Sequence, residues 1–280
     1  MAAVGSAGSE EVPSGGGAGP YALRPVDFSV PHSARIWNYW LGGKDNYQID
    51  RDAGDEFLLH YPGQRGKAHA CRHFLGRAVT HLTAECGIRQ FLDIGTGLPT
   101  ANNTHDVAQS VAPESRIVYV DNDPLVLAHA RALLTSTPEG TTNYIDADLA
   151  DPDHILAETA DILDFDRPIA LLLLGVLGHI WDYEETRAIV RQLLSALPSG
   201  SFLLGCDATI TPEYLQAMEQ YKDTGGIPYH ARTPEEITGF YEGLELIPPG
   251  VVQIHLWRPE PTPFGEPRQV DEMGGIGRKI

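Results

Sequence analysis

The sequence lacks the features that mark several classes of protein. Its 280 residues hold three cysteines, an odd number with no CxxC pair, which excludes a disulfide framework and a zinc finger and fits a reducing cytoplasm. The most apolar run, residues 169–177, is too short to cross a bilayer, and the N-terminus has no secretory pattern. We therefore expect a cytoplasmic protein that does not use a membrane.

Positive charge is also scarce. The 20 Lys and Arg residues face 38 Asp and Glu residues, which gives a formal charge of −18. A chain of this charge repels polyanions, so we predict that the protein does not bind nucleic acid. Hydrophobic residues make up 42% of the chain and charged residues 21%, the ordinary proportions of a folded protein. Arginine far outnumbers lysine, as is typical of a high-GC bacterial gene.

Composition and periodicity divide the chain into four predicted segments. Residues 1–24 are rich in Gly, Ala and Ser and predict a disordered tail. Residues 25–87 predict an N-terminal helical cap or lid, with helices over about 33–40, 50–60 and 68–85. Residues 88–258 alternate short apolar runs with amphipathic stretches and predict the main domain. Residues 259–280 are rich in Pro and Gly and predict an irregular C-terminal tail.

The alternation over residues 88–258 predicts an α/β fold, a Rossmann-like doubly wound sheet of seven strands. Five of them are predicted to be parallel, at residues 91–94, 117–120, 143–145, 169–174 and 202–206. Two more runs, residues 244–247 and 251–257, are joined by the short turn Pro248-Pro249-Gly250. So short a connection predicts that they form a terminal antiparallel hairpin.

The strongest local motif is Asp93-Ile94-Gly95-Thr96-Gly97, between the first predicted strand and its helix. Glycines there let the backbone approach a ligand, and a helix N-terminus offers free N–H groups. An acid, Asp121, ends the next strand, where it could accept hydrogen bonds from ribose hydroxyls. Because Thr100 replaces the third glycine of the NAD fingerprint, a nucleoside carrying an amino acid fits better. A nucleotide-dependent oxidoreductase stays a distant alternative.

These motifs resemble those of the class I S-adenosylmethionine-dependent methyltransferases. Residues 91–97 are similar to their motif I, residues 120–124 to motif II, and residues 147–149 and 174–180 to the segments after the third and fourth strands. Together with the stretch 33–47, they resemble an actinobacterial-type methyltransferase family long described as a domain of unknown function. The resemblance implies S-adenosylmethionine as cofactor, lined by Asp93, Gly95, Thr96, Gly97, Asp121, Asn122, Asp148, Leu149, Leu174 and Gly175.

The function implied by this resemblance is methyl transfer to a small-molecule acceptor by in-line displacement. Polar and aromatic residues crowd the N-terminal helix and its paired glycines, which suits a movable lid. Arg35 or Lys44 there could bind a carboxylate. The predicted substrate or lid residues are Arg35, Asn38, Tyr39, Lys44, Asn46, Tyr47, His179 and Tyr214. The sequence carries no signal for an oligomeric state.

The catalytic residue stays open in the sequence. Many O-methyltransferases carry a catalytic His at the position that Gly178 occupies here, and His179 beside it is the one candidate, as a base or as a packing residue. No acid ends the fourth strand, and His69, Cys71 and His73 do not complete a ligand set on a helix, so we predict no metal. The alternative function is a non-catalytic protein that binds or senses S-adenosylmethionine on the same fold.

Overall fold

The computed structural model describes residues 26–133, 135–260 and 268–280, so the predicted tail over 1–24 lies outside the described residues. The helices are α1 (Ser33–Trp40), α2 (Gln48–His60), α3 (Gln64–Ala84), α4 (Thr104–Val111), α5 (Pro124–Leu133), α6 (Pro152–Ala160), α7 (Tyr183–Ala196), α8 (Pro212–Tyr221) and α9 (Pro234–Gly239). The strands are β1 (Gln90–Ile94), β2 (Arg116–Asp121), β3 (Thr141–Asp146), β4 (Ala170–Leu174), β5 (Phe202–Ala208), β6 (Leu244–Leu246), β7 (Val252–Gln253) and β8 (Glu272–Lys279).

These strands form one mixed sheet in the order β3-β2-β1-β4-β5-β8-β6, with β7 paired to β8 beside this path. Strands β1 to β5 run parallel, and β8 is antiparallel to both β5 and β6. This arrangement confirms the predicted α/β Rossmann-like fold of five parallel strands followed by antiparallel C-terminal strands. The order turns back between β1 and β4, which creates a switch point at the carboxyl ends of the parallel strands.

Helices cover both faces of the sheet because neighbouring strand residues point to opposite sides. Leu171 and Leu173 of β4 join a cluster that includes Ile155 of α6 and the α7 residues Ile189, Val190, Leu193 and Leu194. Leu172, between them, faces a second cluster with residues of α3 and α4. A strand buried on both faces needs apolar residues at every position, which is why β4 reads as a continuous apolar run.

The structure corrects the predicted C-terminal end of the chain. Residues 259–280 do not form an irregular tail throughout, since β8 inserts between β5 and β6. Residues 251–257 are not the strand that was predicted, because β7 holds Val252–Gln253 alone and a 3-10 turn follows over Ile254–Leu256. The expected hairpin is therefore absent between them, and β6 and β7 each pair with β8 instead.

The glycines of β8 explain why the sequence reads as irregular. A Cβ at Gly274 would lie 2.4 Å from the carbonyl oxygen of Gly205, and one at Gly275 would lie 2.7 Å from that of Gly250. Only glycine permits such close approach of backbones. Glycine has a low strand propensity, because strand propensity reflects side-chain packing and glycine has no side chain to pack.

The N-terminal helices form a cap over the carboxyl edge of the sheet. Phe57 of α2 packs edge-on against Tyr214 and Tyr221 of α8, with ring centroids 5.7 and 6.3 Å apart. Helix α3 continues from this cap into the main core, where Phe74 packs against Trp257 at 5.6 Å. The predicted boundary at residue 87 therefore divides a continuous hydrophobic core.

Among the residues that the structure describes, no helix has both the length and the apolar character needed to cross a membrane.

Candidate functional site

One cavity of about 300 Å³ lies at the carboxyl edge of the sheet, where the strand order turns back. Its floor comes from the ends of β1, β2, β4 and β5, and its walls come from α1, α3 and α8. Ligands of open α/β sheets bind at such switch points, because several loops that follow the strands converge there. The topology therefore selects this cavity as the candidate site.

The turn after β1 brings backbone into this cavity. Gly95 and Gly97 have φ values of +75° and +67°, which L side chains rarely adopt. A Cβ at Gly95 would lie 2.4 Å from the side chain of Val176, whereas a Cβ at Gly97 would meet open space. Glycine is thus required at residue 95 for packing and conformation, and at residue 97 for a turn that leaves the cavity free.

Asp121 closes this turn from the neighbouring strand. Its Oδ2 accepts a hydrogen bond from the Gly97 N–H at 2.9 Å, and its Oδ1 accepts one from the Asp123 N–H at 2.9 Å. Burial raises the pKa of the Asp121 carboxyl, and these hydrogen bonds oppose the rise. The next acid along the edge is Asp148, whose Oδ2 accepts from the Asn122 side chain at 2.8 Å. Two carboxylates therefore line one side of the cavity.

Asp93 is the acid at the end of β1. Burial raises the pKa of its carboxyl to about 6, against the opposing effects of a hydrogen bond from Thr104 and the charge of Arg72. Thr104 Oγ1 donates to Asp93 Oδ2 at 2.6 Å from the first turn of α4. Arg72 of α3 donates to the carbonyl of Asn102 at 2.8 Å and so holds the intervening loop in place. A ligand cation beside Asp93 would favour the ionised carboxylate.

The structure gathers all the predicted cofactor positions on the wall of this cavity. They come from four separate stretches of chain: Asp93, Gly95, Thr96 and Gly97; Asp121 and Asn122; Asp148 and Leu149; and Leu174 and Gly175. Gly175 has a φ of +67° and open space where a Cβ would stand. Sequence motifs locate these residues well because each lies at or just after the carboxyl end of a strand.

The predicted substrate and lid residues behave differently. Asn38, His179 and Tyr214 line the cavity, whereas Arg35 does not. Arg35 lies with its Nε 3.2 Å from Asp50 Oδ1, and both side chains are buried. Arg35 also donates to the carbonyl oxygens of Asp27 and Val30, at 3.0 and 2.8 Å. The carboxylate that Arg35 was expected to bind is thus one of the chain's own.

The remaining predicted lid residues build the turn between α1 and α2 or face solvent. Asn46 donates to Asn38 Oδ1 at 2.8 Å, and Tyr39 donates to Asp55 Oδ1 at 2.6 Å. Lys44 is exposed, and Tyr47 packs edge-on against Phe28 at 4.7 Å. Tyr39, Lys44, Asn46 and Tyr47 all lie off the cavity wall. The cap therefore needs most of its polar residues for its own structure.

The surroundings of Gly178 explain why this position, where many O-methyltransferases carry a catalytic histidine, holds a glycine. A Cβ there would lie 2.3 Å from the ring of Tyr229, which fills the space. His179 next to it lines the cavity, with its ring 5.1 Å from that of Tyr229. Burial lowers the pKa of His179 to about 4, so its imidazole is neutral near pH 7, and its Nδ1 has no hydrogen-bond partner among the described residues.

Tyr229 also belongs to a buried polar group at the end of β5. Its hydroxyl donates to Asp207 Oδ1, and Arg232 Nη1 lies 3.2 Å from Asp207 Oδ2. Burial raises the pKa of the Asp207 carboxyl to about 7, and the charge of Arg232 opposes the rise. The group holds Tyr229 in place as part of the cavity wall.

Sequence reasoning missed a charged pair that lines the cavity beside the end of β5. Lys67 of α3 has its Nζ 3.5 Å from Glu272 Oε2 at the start of β8, and each side chain is 2% exposed. Both residues line the cavity, as does Gln64, whose buried Oε1 has no hydrogen-bond partner among the described residues. No motif could find this pair, since it joins a helix residue to a segment that reads as an irregular tail.

Cys71 also differs from its expected surroundings. Its thiol lies with Cys206 and Glu272 rather than with the histidines of its own helix, and the three potential ligand atoms are all within 4.8 Å of one another. The same carboxylate already pairs with Lys67. The absence of a metal stays a prediction.

Comparisons with known proteins identify the family that this chain resembles. The model of the S-adenosyl methyltransferase family matches residues 21–280. The structure of a DUF574 family protein from Streptomyces avermitilis is 44% identical and has a TM-score of 0.87, with coverage of 91% of this chain and 100% of the other. A structure from Thermobifida fusca, assigned to the methyltransferases, is 40% identical with a TM-score of 0.82, and coverage is 90% and 96%. No curated protein shows significant similarity to the chain.

Proposed function

The chain belongs to the S-adenosyl methyltransferase family, and from that premise we propose that it transfers the methyl group of S-adenosylmethionine to a small-molecule acceptor. The observation that carries the proposal is the convergence of all the predicted cofactor positions on one cavity at the switch point of the sheet. A fold can host many functions, so the argument depends on this site and its chemistry as well as on the family.

The residues on the wall fit S-adenosylmethionine, the cofactor of this family. Asp93 would accept hydrogen bonds from the ammonium of the methionine end, and Asp121 from the ribose hydroxyls. The Asp148 side chain and the backbone N–H of Leu149 would form hydrogen bonds with the adenine. Open space beside Gly97 lets the backbone approach the ligand. When bound, the cofactor supplies an electrophilic methyl group, so the chain mainly has to align a nucleophile with it and exclude water.

A small acceptor fits this site better than a polymer. Residues of helix α1 and of helix α8 line the cavity beside the carboxyl edge of the sheet. Its volume of about 300 Å³ lies at the lower end of ligand pockets. The formal charge of −18 opposes an anionic polymer at the same mouth. These observations favour a small compound over an anionic polymer as the acceptor.

Calorimetry tests the cofactor part of this proposal. We expect S-adenosylmethionine and S-adenosylhomocysteine to bind and NAD to give no heat. A folded protein that binds neither of the first two would contradict the proposal.

Transfer is tested separately, by incubating the protein with methyl-labelled cofactor and a cell extract. A labelled small product, absent when Asp121→Ala replaces the wild-type protein, supports an enzyme. Cofactor binding without any labelled product would favour the alternative, a protein that senses S-adenosylmethionine.

A further inference from the structure

A buried charged pair stands on the cavity wall away from the predicted cofactor residues. Lys67 and Glu272 are each 2% exposed, with Nζ and Oε2 3.5 Å apart. Glu272 lies opposite Ala208 in the pairing of β8 with β5, so antiparallel β8 delivers it to the carboxyl edge of the parallel strands. The pair therefore faces the same cavity as Asp93 and the glycine turn.

Stability alone is a weak reason for such a pair. Removing two charges from water costs several kcal/mol, and apolar residues of similar size often replace a buried pair without loss. Gln64, one turn before Lys67 on α3, adds a second cost, because its buried Oε1 has no partner among the described residues. Both costs are explained if this wall binds the polar part of a ligand.

Aromatic rings surround this polar patch. Lys67 Nζ lies 4.4 Å from the ring centroid of Tyr214, whose ring packs against Phe57. The aromatic residues on the cavity wall are Trp37, Trp40, Phe57, Tyr214, Tyr221 and Tyr229. Flat faces of this kind favour a flat apolar ligand. The acceptor side thus combines aromatic rings with one cation and one carboxylate.

This combination distinguishes among acceptor groups. An amine attacks in its neutral form and a carboxylate is already ionised, so neither needs a base to remove a proton before it attacks. A hydroxyl must lose a proton and gains negative charge as it does so. A hydroxyl acceptor is therefore the group that benefits both from a base, which removes its proton, and from a cation, which stabilises its oxygen.

We propose that the acceptor is a hydroxylated aromatic compound, with Glu272 as the base for its hydroxyl and Lys67 as the cation that stabilises the oxygen. This inference rests on the proposed function. The acceptor oxygen forms the new bond to the methyl carbon while the bond from that carbon to sulfur breaks. The electron pair of the broken bond leaves with sulfur, and the hydroxyl proton goes to the Glu272 carboxylate.

The surroundings of Glu272 agree with this role. Burial raises the pKa of its carboxyl, and the charge of Lys67 together with hydrogen bonds from Cys206, Lys67 and Cys71 opposes the rise. The titratable groups that face it are Lys67 and Cys71 on α3, Cys206 and Asp207 on β5, Tyr61 after α2, Tyr214 on α8, and Tyr229. Because Lys67 already neutralises this carboxylate, the pair needs no metal ion. His179, whose pKa falls to about 4, is a weaker base near pH 7.

The first test uses binding and needs no turnover. Protein saturated with S-adenosylhomocysteine is titrated with 2-naphthol, whose anion is detected by its absorbance across pH. We expect bound 2-naphthol to ionise at a pH at least one unit lower in the wild type than in Lys67→Met. Since Lys67→Met leaves Glu272 unpaired, the double variant Lys67→Met/Glu272→Met is the control: it should fold, bind both ligands and leave the pH at which the naphthol ionises unlowered.

The second test follows transfer of labelled methyl to 2-naphthol. Glu272→Gln should lower the rate about 100-fold or more, as expected for loss of a general base, with affinity for S-adenosylhomocysteine within threefold. Glu272→Asp should recover part of the rate. The exposed variants Glu245→Gln and Lys222→Met serve as matched controls and should leave the rate unchanged.

Each failure has a distinct meaning. Loss of S-adenosylhomocysteine binding by the wild type would contradict the proposed function itself. Protein that binds it but not 2-naphthol, or that methylates 2-naphthylamine faster than 2-naphthol, would overturn the acceptor class. Full activity in Glu272→Gln together with loss of activity in His179→Asn would show that His179 is the base that accepts the hydroxyl proton. That result would overturn the role of Glu272.

Discussion

The two halves of the cavity are built in different ways. The half that we propose for the cofactor is lined by residues at or just after the carboxyl ends of β1, β2, β3 and β4, so each belongs to a short motif. The half that we propose for the acceptor is lined by Lys67 of α3, Tyr214 of α8 and Glu272 of β8, which lie far apart in the chain. The first half is therefore determined by local sequence motifs at the strand ends of a parallel sheet. The second half is determined by the packing of elements that are distant in the chain.

The largest expected effect is a loss of stability on removing Arg35, a residue of the cap that the structure places in a buried ion pair and off the cavity wall. Arg35→Met leaves the buried Asp50 carboxylate without its cation, which should lower the free energy of unfolding by about 3–5 kcal/mol. Urea denaturation measures the loss. The exposed Lys44→Met is the control and should leave the curve in place. If Arg35→Met unfolded like the wild type, the structural role of Arg35 would be wrong.

The next effect concerns the turn that carries the cofactor motif. Gly95→Ala combines a φ of +75° with a Cβ 2.4 Å from Val176, so we expect stability to fall by about 2–4 kcal/mol and binding of S-adenosylhomocysteine to weaken. Gly76→Ala is the matched control. It lies in helix α3 with open space around a Cβ, and should raise stability by about 0.5–1 kcal/mol. Denaturation curves that coincide for both variants would contradict the assignment.

A smaller effect tests the ribose position. Asp121→Ala removes a carboxylate, and loss of hydrogen bonds to a charged group should weaken S-adenosylhomocysteine binding by about 1.5–3 kcal/mol, or roughly 10- to 100-fold. Calorimetry measures this change. The exposed Asp161→Ala on helix α6's C-terminal side should bind normally. Equal affinities in the two variants would remove Asp121 from the cofactor site.

The smallest effect is a pH dependence at the methionine end. The pKa of Asp93 is raised to about 6, and the ionised form binds an ammonium, so affinity should increase as pH rises towards 7. Below about 6 it should fall by up to tenfold per pH unit, with a proton released on binding. Asp93→Asn should bind weakly and lose this dependence. A profile that kept its slope in Asp93→Asn would assign the titration to another group.

The sequence predicted the fold where local pattern and tertiary position agree. Helix α1 begins and ends where the pattern of residues 33–40 places it, and each parallel strand overlaps its apolar run. Strand β8 was missed because its glycines are selected by close backbone contacts with β5 and with the segment after β6. Such contacts join residues far apart in the chain, and no local pattern encodes them.

The acceptor half was predicted least well for the same reason. Arg35 and Lys44 were predicted to bind a carboxylate of a ligand because both are cationic. Arg35 instead pairs with Asp50, and Lys44 faces solvent. Lys67 stands in an ordinary helical pattern, and Glu272 in a segment that reads as irregular. Their approach to 3.5 Å depends on α3 crossing the edge at which β8 begins.

By itself, the sequence determined the parallel sheet, its glycine turn and the acids that follow its strands, because a strand, a turn and a strand-end residue are local properties. It also determined the acidity that opposes an anionic polymer as acceptor. The tertiary structure alone decided which polar residues of the cap face inward, which strand completes the sheet, and which charges meet across the cavity. Burial and pairing of charges depend on neighbours that folding brings together, and spacing along the chain does not specify them.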